Sequence, residues 1–336
     1  MKVMRSLGLL LLTAALAGVA WLWFDYQRFL ASPLAIGDAP RVLEVQRGDS
    51  FARVVNKLTS LGMTGSHPWY WRMLGWRSGT ATRLQVGEYE VAPGTAPAAL
   101  LRQLHEGRVR QYRFTIVEGW NVRDLRGALA RRVDLRQTLA GVDDATLMRD
   151  VGKPDVHPEG RFLPETYAFV RGESDLDVLK RAAAAMDREL AAAWSRRTVD
   201  LPIATPEQAL VLASVIEKET GVATERRRIA GVFARRLELG MLLQTDPTVI
   251  YGIGEAYAGN ITRTHLETDT PYNTYTRAGL PPTPIALPGS AALAAAVDPE
   301  PGDELYFVSR GDGSHEFTAT LADHNAAVAR FQLGRK

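Results

Sequence analysis

An apolar run from Leu7 to Phe24, broken only by Gly8, Thr13 and Gly18, limits what this chain can become more than any other stretch. As a helix its roughly 18 residues rise about 27 Å, enough for the hydrocarbon core of a bilayer. Lys2 and Arg5 precede the run and Asp25 follows it, a bias that predicts a cytoplasmic N-terminus over residues 1–6 and export of everything after the span. A cleavable signal peptide is the competing reading, because Ala15-Leu16-Ala17 could serve as an A-x-A site. The run continues past that point through Val19-Ala20-Trp21-Leu22-Trp23-Phe24 and ends in aromatics suited to a membrane interface, which favours a retained single-pass anchor over 7–24.

The 336 residues allow two domains beyond such an anchor, and 40 basic against 38 acidic side chains leave a net charge of +2. A field that weak gives no reason to expect nucleic acid as a partner and points to a neutral or zwitterionic one. With no cysteine, disulfides, thiolate catalysis and Cys-based metal sites are excluded. The six histidines are scattered; His315 and His324 have no HExxH-type spacing, so neither a metal nor another cofactor is expected.

Residues 25–41 contain Pro33, Gly37, Asp38 and Pro40 without clear periodicity and read as a linker. Over 42–110 the pattern is strand Val42–Gln46, a helix capped by Ser50 and running to about Leu61, an aromatic helix from His67 to Leu74, strand Leu84–Val91 and helix Pro97–Leu104. That is a small α+β module. Its strand, Gly48-Asp49-Ser50 turn and helix with Val54, Val55 and Leu58 resemble the opening of a LysM domain, which implies glycan binding. From 111 to 336 a larger α+β unit follows, with helices expected over Val122–Arg132, Asp175–Arg197, Thr205–Thr220 and Thr224–Leu239, the last stopped by Gly240.

In the third of these helices a carboxylate sits where an apolar side chain is called for. Thr205 suits the N-cap, Pro206 the first position and Gln208 the capping box. At about 100° per residue Ala209, Leu212, Ala213 and Ile216 form one stripe, and Glu219 continues it, whereas Glu217 falls roughly 160° away beside Ser214. The two glutamates therefore do not form a pair. Downstream, Leu243–Gly252 and Pro271–Ile285 read as irregular segments, with Asp246-Pro247 a turn. Their Gln244, Thr245, Asp246, Tyr272, Asn273 and Tyr275 supply the amides, hydroxyls and aromatic faces a sugar groove needs. Glu159, beside Gly160 in a Pro/Gly/aromatic stretch, is a further groove-lining candidate.

The series Glu217-Lys218-Glu219-Thr220, Leu243-Gln244-Thr245-Asp246-Pro247-Thr248-Val249-Ile250-Tyr251-Gly252, Tyr272-Asn273-Thr274-Tyr275 and Gly279-Leu280-Pro281-Pro282 resembles the motifs of the YceG-like family, the endolytic murein transglycosylases. Glu159-Gly160 with Pro164 and Tyr167, and the tail Leu305–Val308 with His315, Phe317, His324 and Asn325, extend the likeness over roughly 110–320. Glu165 departs from it, standing where relatives tend to carry Asp. The resemblance implies an inner-membrane lyase with a periplasmic catalytic domain. Its reaction would be cleavage of the N-acetylmuramic acid β-1,4-N-acetylglucosamine bond of peptidoglycan strands to leave 1,6-anhydro ends. It implies Glu219 as the catalytic residue, and a link to penicillin-binding proteins and to the elongation or division machinery. One carboxylate suffices if the sugar's own C6 hydroxyl attacks, because its effective concentration can reach on the order of 10⁵ M. Two rivals remain at this point: a muramidase using Glu219 and Asp246 together, and an anchored scaffold that only binds glycan.

Overall fold

The computed structural model describes residues 2–334, and the side chains of Lys2 and Arg5, which belong to the expected cytoplasmic N-terminus, lie outside that description. Helix α1 runs from Lys2 to Ala31 without a break. The most apolar 18 residues of Leu7–Ala31 have a mean hydropathy of 2.1, and the helix is long and apolar enough to cross a membrane once. Its side chains from Leu7 to Phe24 are exposed, Trp21 and Trp23 among them.

The helix does not stop where the apolar run does. Tyr26 and Phe29, on one face of its last two turns, are 1% and 5% exposed, and Leu34 and Ile36 join them in a common core. Within 25–41, expected as a linker, four apolar side chains up to Ile36 thus join the core, while Gly37 to Arg41 are exposed. Asp25, Gln27 and Arg28 interleave with the two aromatics and mask a stripe only a few residues long.

Contacts divide the chain into two compact units, one up to Tyr112 and one from Arg113. The first contains β1 (Arg41–Val45), α2 (Phe51–Ser60), α3 (Pro68–Arg77), β2 (Gly87–Val91) and α4 (Pro97–Glu106). β1 and β2 pair antiparallel with Leu43 opposite Tyr89. Ser50 caps α2 by accepting from the Arg53 amide at 3.3 Å, and α2 buries Phe51, Val54, Val55 and Leu58 at helical spacing. Trp71 fills the centre, fully buried, its indole donating to Thr64.

The second unit runs β3 (Tyr112–Thr115), α5 (Val122–Ala130), α6 (Asp144–Val151), β4 (Thr166–Phe169), α7 (Asp175–Ser195), α8 (Pro206–Glu219), α9 (Arg226–Glu238), α10 (Asp246–Ile253), α11 (Arg263–Glu267), α12 (Ser290–Val297), β5 (Tyr306–Ser309), β6 (His315–Thr318) and α13 (Leu321–Val328). β3 pairs with β4, and β5 pairs antiparallel with β6. The core is helical: α7, α9, α10 and α12 surround α8, and every residue from Ala209 to Ile216 is buried. A single apolar stripe was expected there. The helix is instead enclosed on all sides, and its small residues let the alanine-rich α12 pack closely. Ser214 tolerates this because its hydroxyl donates to the Val211 carbonyl and accepts from the Ile285 amide. α9 ends as its sequence predicts, in a Schellman motif around Gly240 at φ 67°, with Met241 N–H on Arg236 O and Gly240 N–H on Leu237 O.

α10 is a helix in a segment whose sequence predicts irregular structure and a turn at Asp246-Pro247. Pro247 falls in its first turn, where a missing N–H costs nothing, and Asp246 complements the positive end of the helix dipole. Burial of Thr248 and Val249 against α8 completes the case.

Candidate active site

Glu219 is the last residue of α8. Thr205 caps the other end by accepting from the Gln208 amide at 3.2 Å, and Thr220 leaves the helix in an extended conformation, so Glu219 points from a fixed terminus. The residue keeps a partly exposed edge while its carboxyl sits among dense protein. Burial raises that carboxyl to about 7, and the Asp246 charge adds to the rise; the Thr245 hydroxyl, which donates to Glu219 Oε1, and His315 work against it. No cation pairs with Glu219 among the described residues. The group is therefore a proton donor and acceptor poised near neutrality, held by one hydroxyl.

Thr245 is itself pinned. Its amide donates to Thr274 Oγ1 at 3.0 Å, the Gln244 amide donates to the Thr274 carbonyl at 3.1 Å, and Thr248 Oγ1 lies 2.8 Å from the Thr245 carbonyl. Gln244 takes a positive φ of 52°, unusual for a residue with a side chain, which marks local strain beside the carboxyl. Gln244 and Asp246 are exposed on either side of the buried Thr245. Asp246 accepts from the Tyr275 hydroxyl at 2.6 Å, so Glu219, Thr245, Asp246 and Tyr275 form one linked group.

Other expected groove residues lie elsewhere. Asn273 is 1% exposed; its amide donates to the carbonyls of His265, Leu266 and Thr268 and its oxygen accepts from the Tyr275 amide. All of its hydrogen-bonding capacity goes into the loop, so it shapes the site from beneath. Asn273→Ala should lower stability by roughly 3 kcal/mol by leaving buried carbonyls unpaired, read as a drop in the urea midpoint. Tyr272 is half-buried, 2.8 Å from Thr283 Oγ1, with its ring edge-on to Tyr251 at 4.9 Å.

Glu159 also turns inward. It is 3% exposed and accepts from the Val122 amide, at the N-terminus of α5, and from the Tyr251 hydroxyl at 3.1 Å. Burial raises it to about 7 against the pull of those donors. Gly160 makes this possible: at φ 80° its Cα faces the Pro284 ring, and a Cβ would sit 2.6 Å from Pro284 Cγ. Gly160→Ala is expected to cost about 3 kcal/mol from backbone strain plus overlap, measured by thermal or urea unfolding.

A cavity of about 1170 Å³ lies next to this region, lined among others by Arg123, Arg126, His157, Glu159, Lys218 and Tyr251. Glu219 does not line it; the cavity reaches Lys218 and Pro247, the sequence neighbours of Glu219 and Asp246.

Glu217 separates from Glu219 as the helical wheel requires, although its surroundings are not wet. Its side chain is 6% exposed, it accepts from the Gly289 amide at the start of α12 at 3.0 Å, and it faces Arg226 at 3.8 Å. It serves the packing of α8 on α12. A pair that spacing could not reveal is Glu225 with His315, 2.8 Å apart, where the backbone amide of His315 also donates to Glu225. These residues are 90 apart in sequence, and only the fold sets the imidazole near Glu219. Among the described residues no three His, Asp or Glu side chains cluster as metal ligands.

A family model described as the YceG-like family matches residues 43–330, which takes in the small first unit as well as the second. An endolytic murein transglycosylase of Bacillus subtilis is 31% identical over 268 residues, covering 75% of this chain and 74% of that protein. A Streptococcus pneumoniae protein of the same description is 28% identical over 283 residues, and the chain spans about half (51%) of its length. A crystal structure of a yceG-like protein from Listeria monocytogenes aligns with a TM-score of 0.54 at 28% identity, over 87% of this chain and 100% of that one. The order of motifs, the fold and the extent of these matches agree: the chain belongs to the YceG-like family.

Proposed function

We propose that this protein is a peptidoglycan lytic transglycosylase, a lyase that cuts the N-acetylmuramic acid β-1,4-N-acetylglucosamine bond within glycan strands and leaves a 1,6-anhydro end. The observation that carries the reading is the Glu219 carboxyl at the end of α8, raised to about 7 and held by one hydroxyl with no cation among the described residues. A group at that value is protonated often enough to act as an acid and ionised often enough to act as a base near neutral pH.

Glu219 first donates its proton to the glycosidic oxygen as the C1–O4 bond breaks. The muramyl C6 hydroxyl then attacks C1, forming the O6–C1 bond, and its proton returns to Glu219. Bonds and protons balance without water. Thr245 occupies Oε1 and so directs Oε2 to the sugar. In this reading Gln244, Asp246 and Tyr275 bind sugar hydroxyls, with Tyr272 and Asn273 supporting them from the loop; the exposure of Gln244 and Asp246 and the bond from Tyr275 to Asp246 support it. The apolar helix supports a single-pass anchor in the cell inner membrane with the second unit in the periplasm. Newly made glycan and its synthases, penicillin-binding proteins of the elongation or division machinery, are the surroundings this reading implies.

The muramidase reading draws on one observation, the proximity of the Asp246 charge to Glu219. In a lytic transglycosylase Asp246 binds and does not activate water. Asp246→Asn is therefore expected to slow cleavage about tenfold or less, the scale of one lost hydrogen bond, and to leave anhydro ends as the product. A loss as deep as that of Glu219→Gln, in an assay of soluble fragments released from purified glycan, would give Asp246 a catalytic part instead.

A further inference from the structure

Helix α3 carries an outward face that nothing in the first unit covers. Trp69, Arg72 and Trp76 stand at i, i+3 and i+7, within about 60° of one another on the helix, and Trp76 is 79% exposed. The inward face is Tyr70, Trp71 and Leu74, all buried. Arg72, Arg77 and Arg28 are exposed and, among the described residues, make no ion pair. The helix contains no acidic residue.

Its placement against α1 is fixed. The Tyr70 hydroxyl donates to Asp25, and the Phe29 ring lies 5.5 Å from Tyr70 and 5.2 Å from Trp71. A cavity of about 480 Å³ opens between the two helices, lined by Trp21, Leu22, Asp25 and Arg28 from α1 and by His67 and Trp69 from the start of α3. Trp21 and Leu22 belong to the last turn of the apolar run. Trp69 therefore sits at the depth where that run leaves hydrocarbon for headgroups.

We propose that α3 is a second membrane contact: it lays the first unit on an anionic phospholipid surface, with Trp69 and Trp76 at the interface, Arg28 and Arg72 on lipid phosphate, and a headgroup in the cavity beside Trp21. The proposal rests on the reading of α1 as a membrane anchor. Tryptophan prefers the interfacial layer, and an arginine near an anionic surface gains electrostatically while its stem stays on apolar groups. Exposed tryptophans could also stack on sugar, yet a glycan does not explain why the patch is unpaired, basic and level with the end of the apolar helix.

The chain has no cysteine, so single thiols can carry a nitroxide. The full-length protein is placed in nanodiscs of phosphatidylethanolamine and phosphatidylglycerol, with labels at Arg77→Cys beside the patch, Leu12→Cys in the anchor and Arg102→Cys on α4. Collision with lipid-soluble oxygen should exceed collision with a water-soluble nickel complex at residues 12 and 77, and the order should reverse at 102. Adding Trp69→Ser and Trp76→Ser should move residue 77 to the value of 102, and so should discs of phosphatidylcholine alone, at least in part. An aqueous reading at 77 with residue 12 in lipid overturns the docking and leaves the anchor standing, whereas an aqueous reading at 12 overturns both. Equal readings at 77 in the two lipids overturn headgroup recognition by the arginines. Protection that needs added glycan fragments, or that rises with protein density in the disc, assigns the face to sugar or to a second copy and also overturns it.

Discussion

Glu219→Gln should lower release of anhydro-ended fragments by on the order of 10²- to 10⁴-fold, the scale of a lost general acid and base, while the protein stays folded. The amide oxygen of Gln can still accept from the Thr245 hydroxyl, so the neighbours keep their places and the loss reports chemistry and not collapse. The parent's pH profile should carry the same signature. Because the first step needs the protonated carboxyl, kcat/KM should fall above about 7, roughly tenfold per unit. A Glu219→Gln protein that cleaves as fast as the parent removes the residue from the mechanism.

The same substitution should make the protein more stable at alkaline pH. A carboxyl whose folded value is raised binds its proton more tightly in the native state, so stability is greatest below the unfolded value near 4.5 and declines as pH rises through about 7. The gap between those values corresponds to roughly 3 kcal/mol at pH 8. Gln carries no such penalty, so the urea midpoint of Glu219→Gln should exceed the parent's at pH 8 and approach it near pH 4.5. Glu159→Gln should show the same sign with a smaller gain, because its carboxylate also accepts from Val122 and Tyr251, whose donors an amide satisfies less well. A parent whose midpoint is flat from pH 5 to pH 8 would contradict the raised values of both residues. A functional carboxyl maintained at a cost in stability is a common feature of catalytic sites.

Local signals in the sequence were strong where the chain's own covalent neighbours decide the outcome. The Thr205 cap, Pro206 and the Gly240 stop bound their helices as expected, and the offset of Glu219 from Glu217 holds in the fold. Signals failed where tertiary contacts decide. α8 is buried on every side because four helices close on it, which no periodicity within its own residues encodes. α10 forms from a segment that reads as a proline turn, since burial of Thr248 and Val249 offsets its shortness. Tyr26 and Phe29 look like linker until Tyr70 and Trp71 are brought beside them.

The candidate site divides in the same way. Residue type singled out Gln244, Thr245, Asp246 and Tyr275; in the fold the Thr245 hydroxyl donates to Glu219 and the Tyr275 hydroxyl to Asp246, whereas Gln244 makes no hydrogen bond to the carboxyl. Residue type alone could not distinguish an exposed amide from a buried one, so Asn273 and Glu159 resemble groove residues in sequence and act as braces in the structure. His315 entered only through the likeness of the tail and Glu225 had no legible signal; 90 residues of separation hide their pairing.

The most direct test of the single-carboxylate mechanism is mass spectrometry of fragments released from purified glycan strands in water enriched with heavy oxygen. Attack by the sugar's own C6 hydroxyl predicts ends one water lighter than a reducing muramic acid and free of heavy oxygen. Hydrated reducing ends that carry the heavy isotope at C1 would show that water is the nucleophile, and would contradict a transglycosylase that works through Glu219 alone.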